Sequence, residues 1–125
     1  MLYIVDKASW GIVDMGIRID FSEPVIEKGI VMEMGSGDLD DFYASASDFD
    51  KSNLFFILLA SLHYYEESGD TVRAAHLSFL TAYYVFTPLT PPGSHQLALH
   101  YIKKAVSMNP LSEYKEWLSI MEKGN

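Results

Sequence analysis

The chain has 125 residues, 49% of them apolar and 14% aromatic, enough for one domain, residues 1–125, with an ordinary core. A formal charge of -8 with only nine lysines and arginines excludes a phosphate-tracking surface, so neither nucleic acid nor an anionic membrane is an expected partner. The absence of cysteine excludes disulfides and thiolate chemistry and leaves only histidine and carboxylates as metal donors.

At the N-terminus, Met1-Leu-Tyr-Ile-Val-Asp6 meets an acid and then Lys7 too soon for the apolar segment of a signal peptide, which predicts a cytoplasmic protein. Leu2 to Val5 reads as a strand, and Ile17-Arg-Ile-Asp-Phe21 alternates as a half-buried strand does. Ile30 to Met34 either pairs with it as a short β-hairpin or belongs to a helix from Glu23 to Met34. That helix would be capped by Ser22, opened by Pro24 and closed by Gly35. Gly29 and the β-branched Val25, Ile26, Ile30 and Val31 tilt the balance towards strand. Gly35-Ser-Gly37 is a flexible joint, and Asp38 to Ala46 a short helix with its acids at the N-terminal end, where the dipole favours them.

Acidity is concentrated here. Residues 1–53 hold eleven acids against four bases, net -7, whereas residues 54–125 hold six against five, net -1. Asp38, Asp40, Asp41, Asp48 and Asp50 are interleaved with Phe42, Tyr43 and Phe49, and these eight residues form the candidate partner-binding surface. The competing reading is a solvated acidic loop.

From Leu54 to Lys123 the period is helical. Leu54, Ile57, Leu58, Leu62 and Tyr65 make a helix with Ser52 or Asn53 as N-cap and Gly69 as its left-handed stop. Phe55, Phe56 and Leu59 make its first turns apolar nearly all round, which predicts the most buried element. After Ser68-Gly69-Asp70, a second helix carries the stripe Val72, Ala75, Phe79, Tyr83 and Phe86 and packs back on the first. Thr87 to Gly93, with three prolines, predicts a stiff non-helical loop. The third helix places Leu97, Ala98, Tyr101, Ile102, Ala105 and Met108 inward, with Lys103 and Lys104 outward near its negative end. Ser112 caps the fourth, whose inner face is Tyr114, Trp117, Leu118 and Met121, and Gly124-Asn125 is a fraying end. The expected fold is mainly α: two antiparallel helical hairpins behind an N-terminal α+β or capping segment.

Ala98-Leu-His-Tyr-Ile-Lys-Lys-Ala-Val-Ser-Met-Asn-Pro110, with Ala98, Ala105 and Pro110 at the spacing of a second repeat helix, resembles the tetratricopeptide repeat family; Ala75, Phe79, Ala82 and Pro88 echo it. The resemblance covers residues 54–123 and implies stacked helix pairs that hold a peptide or protein. Thr87 to Gly93 is longer than the family's turn, and the first-helix tryptophan, leucine, glycine and tyrosine pattern is missing. With two pairs where stacked arrays need about three, the N-terminal half would cap the open end.

Asp48-Phe-Asp50-Lys-Ser52-Asn53 opens like a calcium loop, then places Asn53 where glycine is needed and Leu59 where a bidentate glutamate is needed. His63, His76, His95 and His100 lack the spacing of a helical metal pair and no nucleophile accompanies them, so packing or surface roles are expected. Of the pairs Tyr64-Tyr65 and Tyr83-Tyr84, one ring each should face the core and one the surface. No cofactor, metal or catalytic residue is read. The expected function is non-enzymatic binding of a basic protein partner, concretely a toxin-neutralising immunity protein or a chaperone or adaptor; a structural homodimer or assembly subunit is the alternative.

Overall fold

The computed structural model describes residues 12–14, 18–20 and 25–124. The expected strand at Leu2 to Val5 and the terminal Asn125 lie outside them. Strands β1 (Ile12–Asp14) and β2 (Arg18–Asp20) pair antiparallel with Val13 opposite Ile19. The remainder is mainly helical: α1 (Lys28–Val31), α2 (Ser36–Ser45), α3 (Asp48–Glu67), α4 (Thr71–Tyr84), a π turn (Val85–Leu89), α5 (Ser94–Met108) and α6 (Ser112–Lys123).

The strand expected at Ile30 to Met34 is not there. Met34 is 1% exposed and Met32 41%, although a strand would turn both to one side; burying Val31 with Met34 instead needs a helical turn. Among residues 25–34 only that single turn, Lys28–Val31, is helical, shorter than the helix expected from Glu23 to Met34. The segment before it is held by α3: Ser61 Oγ accepts from the Ile26 N–H at 2.8 Å, and Tyr65 Oη donates to the Ile26 carbonyl at 2.8 Å. Two side chains one helical turn apart thus satisfy both backbone groups of one buried residue. The Gly35-Ser-Gly37 joint is also overturned, because Ser36 and Gly37 open α2 and the Asp38 carboxylate accepts from the Gly35 N–H at 2.8 Å.

Helix α3 starts before the expected caps. Ser47 accepts from the Asp50 N–H at 3.1 Å, and Asp48 and Asp50 occupy the favourable first turn. Its end follows expectation, with Gly69 at φ 82°, the Asp70 N–H on the Tyr65 carbonyl and the Gly69 N–H on the Glu66 carbonyl.

The most buried helix is α4, and not α3 as its aromatic content predicts. Every residue from Ala74 to Phe86 is buried, while Phe56 of α3 is 63% exposed. The small Ala74, Ala75, Ser78 and Ala82 let neighbours approach α4 closely, which a helix studded with phenylalanine prevents. Helix α5 presents Ala98, Ile102 and Ala105 fully buried, near enough for Ser78 Oγ to donate to the Tyr101 carbonyl at 2.7 Å. Tyr83 and Tyr84 are both buried, at 6% and 0%, so the expected division between core and surface fails there; it holds for Tyr65 and Tyr64, at 4% and 54%.

Thr87 to Leu89 were expected to leave the helix and instead complete a π turn. The Thr90 N–H reaches the Val85 carbonyl five residues back, at 3.1 Å, and the wider turn accommodates Pro88. Thr90 then takes φ 43° ahead of Pro91, the one non-glycine with positive φ among the described residues. For a β-branched residue this conformation costs about 1–3 kcal/mol. Ser112, expected as the cap of α6, is its first residue, and Leu111 holds the cap position without a side-chain bond.

His76 joins three elements. Its Nε2 lies 2.6 Å from the Met34 carbonyl and so carries the proton, which leaves Nδ1 to accept from Tyr114 Oη at 2.9 Å. The Phe79 and Tyr114 rings stack beside it at 5.1 Å. Burial lowers the His76 pKa from its ordinary 6.5, against the opposing pull of the Met34 carbonyl and the Glu113 charge. Burial likewise pushes Tyr83 and Tyr114 up to about 12, helped by Asp40 and Glu113 respectively, and raises Tyr84.

Three tests follow from these contacts. Ser61→Ala leaves the buried Ile26 N–H without its acceptor and should cost about 1–3 kcal/mol in denaturant unfolding. Stability should also fall as pH drops through 6.5, where the unfolded chain takes up a proton the folded His76 ring refuses; His76→Gln should flatten that limb. It should fall again as pH rises through 10.0, where unfolded tyrosines ionise before the buried ones. Stability unchanged across the histidine range would contradict the His76 assignment.

Candidate partner-binding surface

The eight residues singled out from sequence divide between structural and surface roles. Phe42 is 0% exposed and belongs to the core, which overturns its place in a binding surface. Its burial follows from the helical period of α2, which turns Leu39 and Phe42 inward together. Asp38 closes the N-terminus of α2, and both oxygens of Asp40 accept from Tyr83 Oη at 2.9 Å. Tyr43 is half-buried, edge-on to Tyr84 at 6.4 Å, with Lys51 Nζ 4.2 Å above its ring. Asp41 is exposed, and the Asp48 side chain is fully exposed, 3.7 Å from Lys51 Nζ. Asp50 is half-buried in the first turn of α3, and Phe49 is 75% exposed.

Phe49 begins a feature that the loop-centred reading missed. Phe56, seven residues on, is 63% exposed, and Tyr64, eight further, is 54% exposed. At 100° per residue these three fall within about 80° of one another, on a side of α3 that borders the buried residues at Ile57. Ser52, Asn53, Ala60, His63 and Glu67 fill the same stripe. Other large apolar side chains that stay exposed, Met32, Val72, Leu111 and Ile120, reach only 41 to 50% and sit on different elements.

Two of the rings are held in place from below. Phe56 stands edge-on to Phe55 at 5.5 Å, and Tyr64 edge-on to Tyr65 at 5.0 Å. Tyr65 is itself fixed by its bond to Ile26. Such support reduces the side-chain entropy that a contact must overcome.

Charge along α3 is one-sided. Asp48 and Asp50 lie at one end, Glu66 and Glu67 at the other, and the helix's single cation, Lys51, is turned to Tyr43. Glu66 is paired with Lys104 at 2.5 Å, whereas Glu67 is exposed. Beyond Tyr64 the stripe opens into a cleft of ≈ 330 Å³ lined by Lys28, Tyr64, Tyr65, Ser68, Gly69 and Asp70. The burial of Asp70 raises its carboxyl pKa, but hydrogen bonds from the Arg73 backbone and guanidinium outweigh this and hold it below 3.8.

Among the described residues no group of three or more histidine and carboxylate side chains is placed to hold a metal ion, and no helix is long and apolar enough to cross a membrane. Both ring nitrogens of His76 are engaged, and His95 Nε2 donates to the Met121 carbonyl at 2.9 Å. A pattern signal for the stripe did exist in the apolar all-round turns of α3, which were read as burial. No family model, no curated protein and no solved structure matches this chain.

Proposed function

We propose that this chain is a non-enzymatic protein-binding module that takes a basic protein partner on the outer stripe of α3. The observation that carries the reading is the exposure of Phe49, Phe56 and Tyr64 on one helical face, at 75%, 63% and 54%. Aromatic side chains left in water and flanked by acids form an apolar anchor with a charged rim, the anatomy of a contact surface. A toxin-neutralising immunity protein, or a chaperone or adaptor acting in the cytoplasm, is the concrete form. The two helix pairs, α3 with α4 and α5 with α6, are read as tetratricopeptide-like hairpins. Their short connections and the buried Ala98 and Ala105 support that reading.

The site therefore moves from the Asp38–Asp50 cluster to the stripe that begins at its end. Asp38 and Asp40 are poor probes of binding, since one caps α2 and the other holds Tyr83. Asp41 and Phe49 are clean ones. A homo-oligomer is the alternative, and light scattering at micromolar concentration separates the two.

The test is co-purification of the tagged chain from its host at low and high salt. A stoichiometric basic protein should be retained at low salt and released at high salt. Phe49→Ala with Phe56→Ala should weaken its binding by about tenfold or more with helix content unchanged. Retention of the partner by the double variant would remove the stripe as the site.

A further inference from the structure

The proposed function leaves the shape of the partner open, and the geometry of α3 narrows it. We infer that the outer stripe of α3 receives a basic amphipathic α-helix about four turns long, laid along Phe49, Phe56 and Tyr64. This rests on the protein-binding reading above and names the class of segment that fits it.

The backbone of α3 has its amide and carbonyl groups committed along the helix and closed at both ends by Ser47, Gly69 and Asp70. It offers no ladder of donors and acceptors, so an extended peptide would gain no main-chain bonds there. A helix satisfies its own backbone and needs only side-chain contacts. The anchor spacing fits as well: seven and eight residues are about 10.5 and 12 Å along the axis, two turns each. A partner helix with apolar residues every two turns lies in register with all three rings, and the small Ala60 leaves room between Phe56 and Tyr64.

Charge selects among the possible occupants. In a second copy, antiparallel stripes would set Asp48 and Asp50 against Glu67, and parallel stripes would set like ends together. Both bring acid to acid in a chain of formal charge -8. An anionic lipid surface is repelled for the same reason. Lysines or arginines on the flanks of an incoming helix would meet Asp48 and Asp50 at one end and Glu67 at the other, which steers encounter while the rings supply contact.

The experiment uses the full chain and three synthetic peptides of equal length: a leucine-stripe helix flanked by lysines, the same helix with glutamates for lysines, and the lysine peptide with a central proline. Binding is read by fluorescence anisotropy. The lysine peptide should bind saturably and weaken with salt. Phe56→Ala, and independently Phe49→Ala, should raise its Kd about tenfold, and the glutamate and proline peptides should bind at least about tenfold more weakly. Absent lysine-peptide binding, equal binding of the glutamate or proline peptide, affinity unmoved by either substitution, or self-association of the chain through the stripe would each overturn the inference. If the peptides fail while a host protein still co-purifies in a Phe56-dependent manner, the helical-ligand inference falls and the protein-binding reading stands; failure of both removes both.

Discussion

A helix buried on every side must find partners for each polar group it carries inward, and α4 does so by tying itself to every element around it. His76 bonds the Met34 carbonyl before α2 and the Tyr114 hydroxyl on α6; Ser78 bonds α5 at the Tyr101 carbonyl. Tyr83 reaches Asp40 on α2, Tyr84 reaches the Lys51 carbonyl on α3, and Thr81 turns back to its own helix at the Leu77 carbonyl. Each bond is worth about 1 kcal/mol net, yet each would be expensive to leave unmade inside a dry core. Specific placement of the outer helices therefore depends on α4, while its alanines set how close they come.

This arrangement divides the aromatic side chains into two populations. Phe42, Phe79, Tyr83, Tyr84 and Tyr114 are consumed by packing around α4, and several use their hydroxyls to hold it. Phe49, Phe56 and Tyr64 stay exposed on a stripe of α3 that they share with the polar Ser52, Asn53, His63 and Glu67. A helix that were merely structural would need no exposed aromatic rings among those polar residues. The acids at both ends of the stripe match the chain's formal charge of -8 and favour a cationic contact over self-association.

The legibility of the fold varied with how local each signal was. The stop of α3 at Gly69, the inward faces of α5 and α6, and the short helix after Asp38 all rest on spacing and caps within one turn, and they are present. Two readings failed for nonlocal reasons, and a third for a local one. Ile30 and Val31 end a helical turn, and not a strand, after an Ile26 backbone anchored by Ser61 and Tyr65, thirty-five and thirty-nine residues away. The π turn absorbs Pro88 because the segment ahead of it is fully packed. Phe42 leaves the candidate site because the period of its own helix turns it inward, a signal available locally but subordinated to the run of acids around it.

Sequence alone determined that the chain is mainly helical, strongly acidic in its first half and without thiol chemistry, since composition, period and capping are properties of neighbouring residues. It also determined that aromatics and acids would lie together near Asp48-Phe49-Asp50. Tertiary structure decided which helix is central, because burial on all sides is a matter of how many neighbours approach, and small residues win that competition over large apolar ones. The same decision left Phe56 and Tyr64 in solvent: an all-round apolar helix looks alike whether it is enclosed or has one face unpaired, and only the packing of α4 against its other neighbours distinguishes the two.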